Sequence, residues 1–218
     1  MQMIEADLHI HSCYSFDSIL SPRSIVRTAL KKGLSAVAIA DHNTVEGALR
    51  TKKEAATTYL IVIPGIELET EAGDIMGLFV ETSIKAREID EVLDQIKERD
   101  GLAVLLHPAR GRTSNLKETA KKVDIVEALN GRTSRSKNLE AERLALRYNK
   151  PFIAGSDAHL GLEIGCVRTV FEDTPNSLED VRRCIITGKR NVVGKESPYV
   201  VHALSFGTQI AKYILRSV

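Results

Sequence analysis

Five short stretches rich in metal-ligand residues, each closing an apolar strand-like run, constrain what this chain can fold into. They are Asp7-Leu8-His9-Ile10-His11, Ala40-Asp41-His42-Asn43, Pro64-Gly65-Ile66-Glu67, Leu106-His107-Pro108 and Gly155-Ser156-Asp157-Ala158-His159. Five of the six histidines fall inside them. Histidines placed only for packing would not keep choosing strand ends. Such ends can serve one site only if the fold gathers them, as a barrel gathers its strand C-termini around one mouth. The pattern points to a metal-dependent hydrolase.

The rest of the chain supports an α/β barrel. Strand-like runs occur at 3–8, 36–40, 60–64, 75–80, 103–106, 125–129, 152–154 and 166–171. Several are apolar without alternation, as expected of strands buried on both faces. Amphipathic helical segments lie between them at 23–32, 44–59, 84–100, 136–148 and 178–187. Ser21-Pro22 supplies an N-cap and N1 proline for the first, and Gly33 a stop. Ser177 caps the last of these and Gly188 ends it. An open doubly wound sheet normally carries a Gly-rich phosphate turn after its first strand. Here His9-Ile10-His11 occupies that place. The segment 189–198 reads as a loop before a final helix, 199–218, which is expected to pack on the barrel. No linker or repeat divides the chain, so residues 1–218 read as one domain.

Composition narrows the partners. The net charge is +1, whereas proteins that grip long nucleic acid carry a strong basic excess. A small phosphorylated substrate is favoured, with a short nucleic-acid end as the alternative. Cys13, Cys166 and Cys184 are odd in number and widely spaced, without a CxxC, which suggests a reducing cytoplasm. Cys13 reads as a small buried side chain. No leader or membrane-length apolar stretch is visible in the sequence.

Residue spacing indicates the chemistry. His9 and His11 lie two apart on a strand, so both rings can reach one metal. Asp7 shares that face in this reading and holds a ligand imidazole from behind. Gly155 and Ser156 turn the backbone so that Asp157 and His159 repeat the pattern. His42 is a ligand candidate, with Asp41 as its hydrogen-bonding support or a cap. Glu67 has two oxygens and can bridge two cations. Pro108 ends the strand after His107. Nitrogen and oxygen donors without thiolate suit two or three divalent ions, Zn, Mn or Fe. Arg110 and Arg132 follow strand ends and match a phosphate bidentately. Arg112 and Arg135 read equally well as solvated loop residues.

Together these motifs resemble the PHP family, named for polymerase and histidinol phosphatase. The stretch Val126-Glu127-Ala128-Leu129-Asn130-Gly131-Arg132 is also similar to stand-alone members. The resemblance implies a distorted (β/α)7 TIM-like barrel of parallel strands, with up to three metals at the C-terminal mouth. It implies that His9, His11, Glu67 and Asp157 hold one metal and that Glu67 bridges to a second, shared with His107. Asp17, His42 and His159 would hold the third, Asp17 standing where the family uses His or Asp. Asp74 departs from the pattern, since many relatives carry His there. It either ligates the second metal through oxygen or is solvated.

The expected activity is phosphoester hydrolysis by a metal-held hydroxide attacking phosphorus in line, with Arg110 or Arg132 balancing charge. Two rivals are a catalytically silent, metal-stabilised PHP module and an amidohydrolase. The latter usually needs a bridging lysine carboxylate, and no strand-end lysine suggests one.

Overall fold

The computed structural model describes residues 3–111 and 115–216, with side chains through Thr208. Among these residues the strands are β1 (Ile4–Ile10), β2 (Ala36–His42), β3 (Ile61–Thr70), β4 (Gly73–Leu78), β5 (Leu102–Leu105), β6 (Ile125–Asn130), β7 (Phe152–Gly155), β8 (Val167–Phe171) and β9 (Arg190–Gly194). The helices are α1 (Pro22–Lys31), α2 (Glu46–Ala55), α3 (Ile89–Glu98), α4 (Leu116–Lys122), α5 (Arg135–Arg147), α6 (Leu178–Thr187) and α7 (Tyr199–Arg216). One 3₁₀ turn, Pro108–Arg110, follows β5.

The strands β1 to β7 pair in sequence order. Just beyond β7, the chain returns to β1: Asp157 N–H donates to the His9 carbonyl at 2.8 Å and His11 N–H to Ala158 at 3.0 Å. This parallel bridge nearly closes a seven-stranded barrel. One buried cluster contains Leu8, Ala38, Ile63, Met76, Val104, Ile125 and Ile153. Residues from seven successive strands can touch one another only inside a barrel. Val181, Cys184 and Ile185 of α6 join that cluster. A second cluster packs α3, α4 and α5 outside β3–β6. A third packs α1 and α2 outside β1–β3. Fully burying each large aliphatic side chain contributes roughly 1.5–3 kcal/mol.

The barrel departs from an all-parallel arrangement at β4, which is antiparallel to both neighbours. Only Glu71 and Ala72 separate β3 from β4. Two residues can close a hairpin but cannot make a parallel crossover. The hairpin prolongs β3 past Pro64 and Gly65 as far as Thr70, so Glu67 lies within the strand. The segment expected to be a loop at 189–198 contains β9, which pairs antiparallel with β8. β8 in turn lies antiparallel along the first half of β1. Helix α3 begins at Ile89 rather than 84, and α2 ends at Ala55 rather than 59. The caps on α1 and α6 form as expected: Ser21 Oγ accepts from Ser24 N–H and Ser177 Oγ from Asp180 N–H.

Closure depends on a missing side chain. A Cβ on Gly155 would lie 2.2 Å from His9 Cβ and 2.7 Å from His9 N. Gly155 therefore serves close strand approach rather than the turn expected from sequence. Gly155→Ala should destabilise the fold by about 1–3 kcal/mol through overpacking. Urea denaturation measures this, and a wild-type midpoint would contradict it.

Candidate metal centre

Strand ends aim the candidate side chains into one mouth. The β1–β2 register slips between Asp7 and Ile10, and such a bulge re-aims side chains. Leu8 points into the barrel cluster and Ile10 into the α1–α2 cluster. The slip also separates Asp7 from the histidine face. Asp7 accepts from Ser156 N–H at 2.8 Å, Ser156 Oγ–H at 2.6 Å and Gly165 N–H at 2.6 Å. It ties β1 to the loop after β7 and supports no imidazole ring, contrary to the sequence reading. Burial pushes its carboxyl up to about 6 despite those donors. Asp41 likewise accepts from Ser12 N–H and Oγ–H, both at 2.6 Å.

Asn43, His107 and Asp157 have positive φ angles of 61°, 26° and 55°. Left-handed backbone at non-glycine residues costs about 1–3 kcal/mol each and concentrates at functional sites. Here it turns the chain immediately after β2, near the end of β5 and after β7.

The nine candidate ligands come together. Four overlapping groups have donor atoms within 4.8 Å of one another: His9-His11-Glu67, His11-Asp157-His159, His11-Asp17-His42 and Glu67-Asp74-His107. Glu67 Oε2 is 3.1 Å from both His9 Nε2 and His11 Nε2. Asp157 Oδ1 lies 3.3 Å from His11 Nε2. Asp17 Oδ2 lies 2.7 Å from His159 Nε2 and 3.2 Å from His42 Nε2. His107 approaches Glu67 and Asp74, each at 3.8 Å. The hairpin brings Asp74 here by setting β4 between β3 and β5. Cys13 belongs to none of the groups found among the described residues.

The arrangement fits divalent cations. Glu127 Oε1 lies 2.9 Å from His9 Nδ1. Its Oε2 accepts from His107 N–H at 2.9 Å and the Asn130 amide at 3.0 Å. With Glu127 accepting throughout, His9 carries its proton on Nδ1 and turns the Nε2 lone pair toward Glu67. His11 Nε2 lies 3.1 Å from that same nitrogen. Lone pairs and carboxylates so close repel unless a cation lies between them. Donors about 2.0–2.1 Å from a shared zinc-like ion have this kind of spacing. Without metal, protons fill the role. Burial lowers the His11 pKa, but Asp157 and Glu67 overcome it and push it up to about 10. Burial opposes ionisation of Glu67 and Asp157 as well, yet the surrounding histidines hold Glu67, and Arg110 followed by the histidines holds Asp157, well below the carboxylate range. Burial and neighbouring Glu67 raise Asp74.

A family model described as PHP-associated matches residues 135–189. The uncharacterized protein MJ1587 of Methanocaldococcus jannaschii is 41% identical over 116 residues, covering 48% of this chain and 68% of that protein. MJ0417 of the same organism is 32% identical over 173 residues, covering 74% and 68%. A solved two-domain protein from Bacteroides vulgatus, described as containing a predicted PHP-like metal-dependent phosphoesterase, superposes with a TM-score of 0.79 at 17% identity. That match covers 89% of this chain and 65% of the other. The chain belongs to the PHP family. The low-identity structural likeness speaks for the fold, and the chain spans just under two thirds of that two-domain protein.

Both candidate arginines line the PHP mouth, in a pocket of about 500 Å³. Arg110 donates to Asp157 Oδ2 at 2.8 Å and Asn130 Oδ1 at 2.6 Å. Arg132 Nη1 touches His159 Nδ1, donates to Ser205 of α7 at 3.2 Å and lies 3.7 Å from Glu163. Arg112 lies outside the described residues. Arg135 lines a smaller neighbouring cavity of about 140 Å³. Helix α7 is tied to the body through buried Ser205 but leaves Val200, Leu204 and Phe206 exposed.

Sequence reasoning gave no role to three supports of this PHP site. Glu127 fixes the His9 tautomer, and Asn130 joins Glu127 to Arg110. Glu163 accepts from His159 N–H and Leu160 N–H, both at 2.9 Å. A carboxylate inside the apolar run Ile125-Val126-Glu127-Ala128-Leu129 was the available signal for the first. Glu163 had no distinguishing local pattern.

Proposed function

We propose that this chain is a metal-dependent phosphoesterase acting on a small phosphate monoester or on a nucleotide or oligonucleotide phosphate. The supporting observation is one pocket in which four overlapping donor groups meet two arginines. Bound Zn, Mn or Fe ions would lower the pKa of a water and neutralise phosphoryl charge. His9, His11, Glu67 and Asp157 would hold one ion. Glu67, Asp74 and His107 would hold a second, and Asp17, His42 and His159 a third. Arg110 orients Asp157 while presenting charge to the pocket, and Arg132 supplies a second guanidinium beside His159. These groups favour a phosphoryl dianion over a neutral amide. Glu67 occupies the bridging position, and no lysine lines the described pocket, which disfavors the amidohydrolase reading. Eight of the nine donors match the family pattern and Asp74 supplies oxygen in place of the usual imidazole, which disfavors a silent module.

No helix among the described residues is long and apolar enough to cross a membrane. The odd number and wide spacing of Cys13, Cys166 and Cys184 suit the proposed cytoplasmic setting.

Metal-loaded protein should hydrolyse p-nitrophenyl phosphate, and chelation should abolish turnover. Asp157→Ala should lower it on the order of 100-fold or more with the fold retained by circular dichroism. A metal-loaded chain inert toward a broad phosphate-ester panel would support the silent-module reading.

A further inference from the structure

We infer that Phe16 and Asn43 form a nucleobase subsite at the rim of the metal pocket, so that the leaving group is a nucleoside. This rests on the phosphoesterase reading and narrows its substrate class. Phe16 is 57% exposed although it is large and apolar. It lines the pocket of about 500 Å³ among residues that are otherwise polar or charged. Its ring stacks on His42, with centroids 4.9 Å apart and planes 29° from parallel. His42 in turn stacks on His11 at 4.8 Å. The rim ring is therefore supported from behind by two buried or half-buried imidazoles.

An aromatic shelf facing solvent beside a metal and phosphate site offers a π surface to a planar ring. Base–aromatic stacking is favourable and tolerates any base. Asn43 lines the same pocket. Its left-handed backbone is fixed by an N–H bond to the Glu67 carbonyl at 2.9 Å. An amide offers donors and an acceptor, the complement of a base edge. A sugar phosphate without a base would leave both features unused. The volume lies within the roughly 300–1,000 Å³ of small-molecule sites.

The test compares adenosine 5′-monophosphate with ribose 5-phosphate, which lacks the base, using metal-loaded protein. The wild type should prefer the former in kcat/KM by about tenfold or more, mainly through KM. Phe16→Leu should collapse that ratio toward one, and Phe16→Trp should restore it. Asn43→Ala should alter the ranking of adenosine, guanosine and uridine monophosphates. A wild type indifferent to the base, or a ratio unchanged in Phe16→Leu, would overturn the subsite. Hydrolysis of p-nitrophenyl phosphate but of neither ester would overturn the nucleoside assignment; inertness toward all three would overturn the phosphoesterase reading, and saturation-transfer NMR with adenosine would then decide the subsite separately. Ring-proton contact with wild type, lost in Phe16→Leu, would sustain base binding; no contact would overturn it.

Discussion

Glu127→Ala should lower folding stability by about 3 kcal/mol or more and weaken metal binding by roughly 10–100-fold. The carboxylate is fully buried and serves the His9 ring, the His107 backbone and the Asn130 amide. Alanine leaves all three without their acceptor. Glu127→Gln separates fold from metal binding. Its carbonyl would remain with the two donors at the Oε2 position, presenting its amide N–H to His9 Nδ1. The imidazole must then accept at Nδ1 and carry its proton on Nε2, where the ligand lone pair is needed. Glutamine should retain more stability than alanine yet still bind metal poorly. Urea denaturation and metal titration read the two effects. Wild-type metal affinity in Glu127→Gln would refute the tautomer argument.

Chelation should produce a destabilised chain whose melting temperature falls as pH rises. His11 has a metal-free folded pKa near 10, against an ordinary 6.5. A raised imidazole pKa contributes stability that is complete below about pH 6.5 and disappears as pH rises through about 10. Glu67 and Asp157, held low, contribute on the opposite side: their stabilisation is present above the normal carboxylate range and is lost as pH falls below it. Metal replaces the imidazole protons, so its affinity should rise with pH. The difference in melting temperature between loaded and stripped protein should therefore widen from pH 6.5 to 10. At free metal a thousand times Kd, one site would add about 4 kcal/mol. Differential scanning fluorimetry across that window provides the check. A gap that narrows with pH would contradict the proton-for-metal exchange.

The mouth was legible because His9, His11, His42, His107, Asp157 and His159 end or follow apolar runs, a local pattern. The reversal of β4 was less legible. Glu71-Ala72 lacks an Asn-Gly or Asp-Gly hairpin signal, and the Glu67–Thr70 extension becomes regular only through pairing with β4. β9 was hidden because its residues are charged or partly exposed and gain regularity from β8. Asp7 was assigned the wrong partner because alternation cannot anticipate the slip in β1. Glu127 shows a different limit: its importance comes from three partners spread across the chain, including one 118 residues away.

Arg132 bridges the site and the carboxyl-terminal helix, touching His159 with one guanidinium nitrogen and Ser205 with the same nitrogen. Moving Ser205 would therefore be felt at a guanidinium that lines the mouth. A carboxyl-terminal affinity handle is accordingly best removed before kinetic measurements.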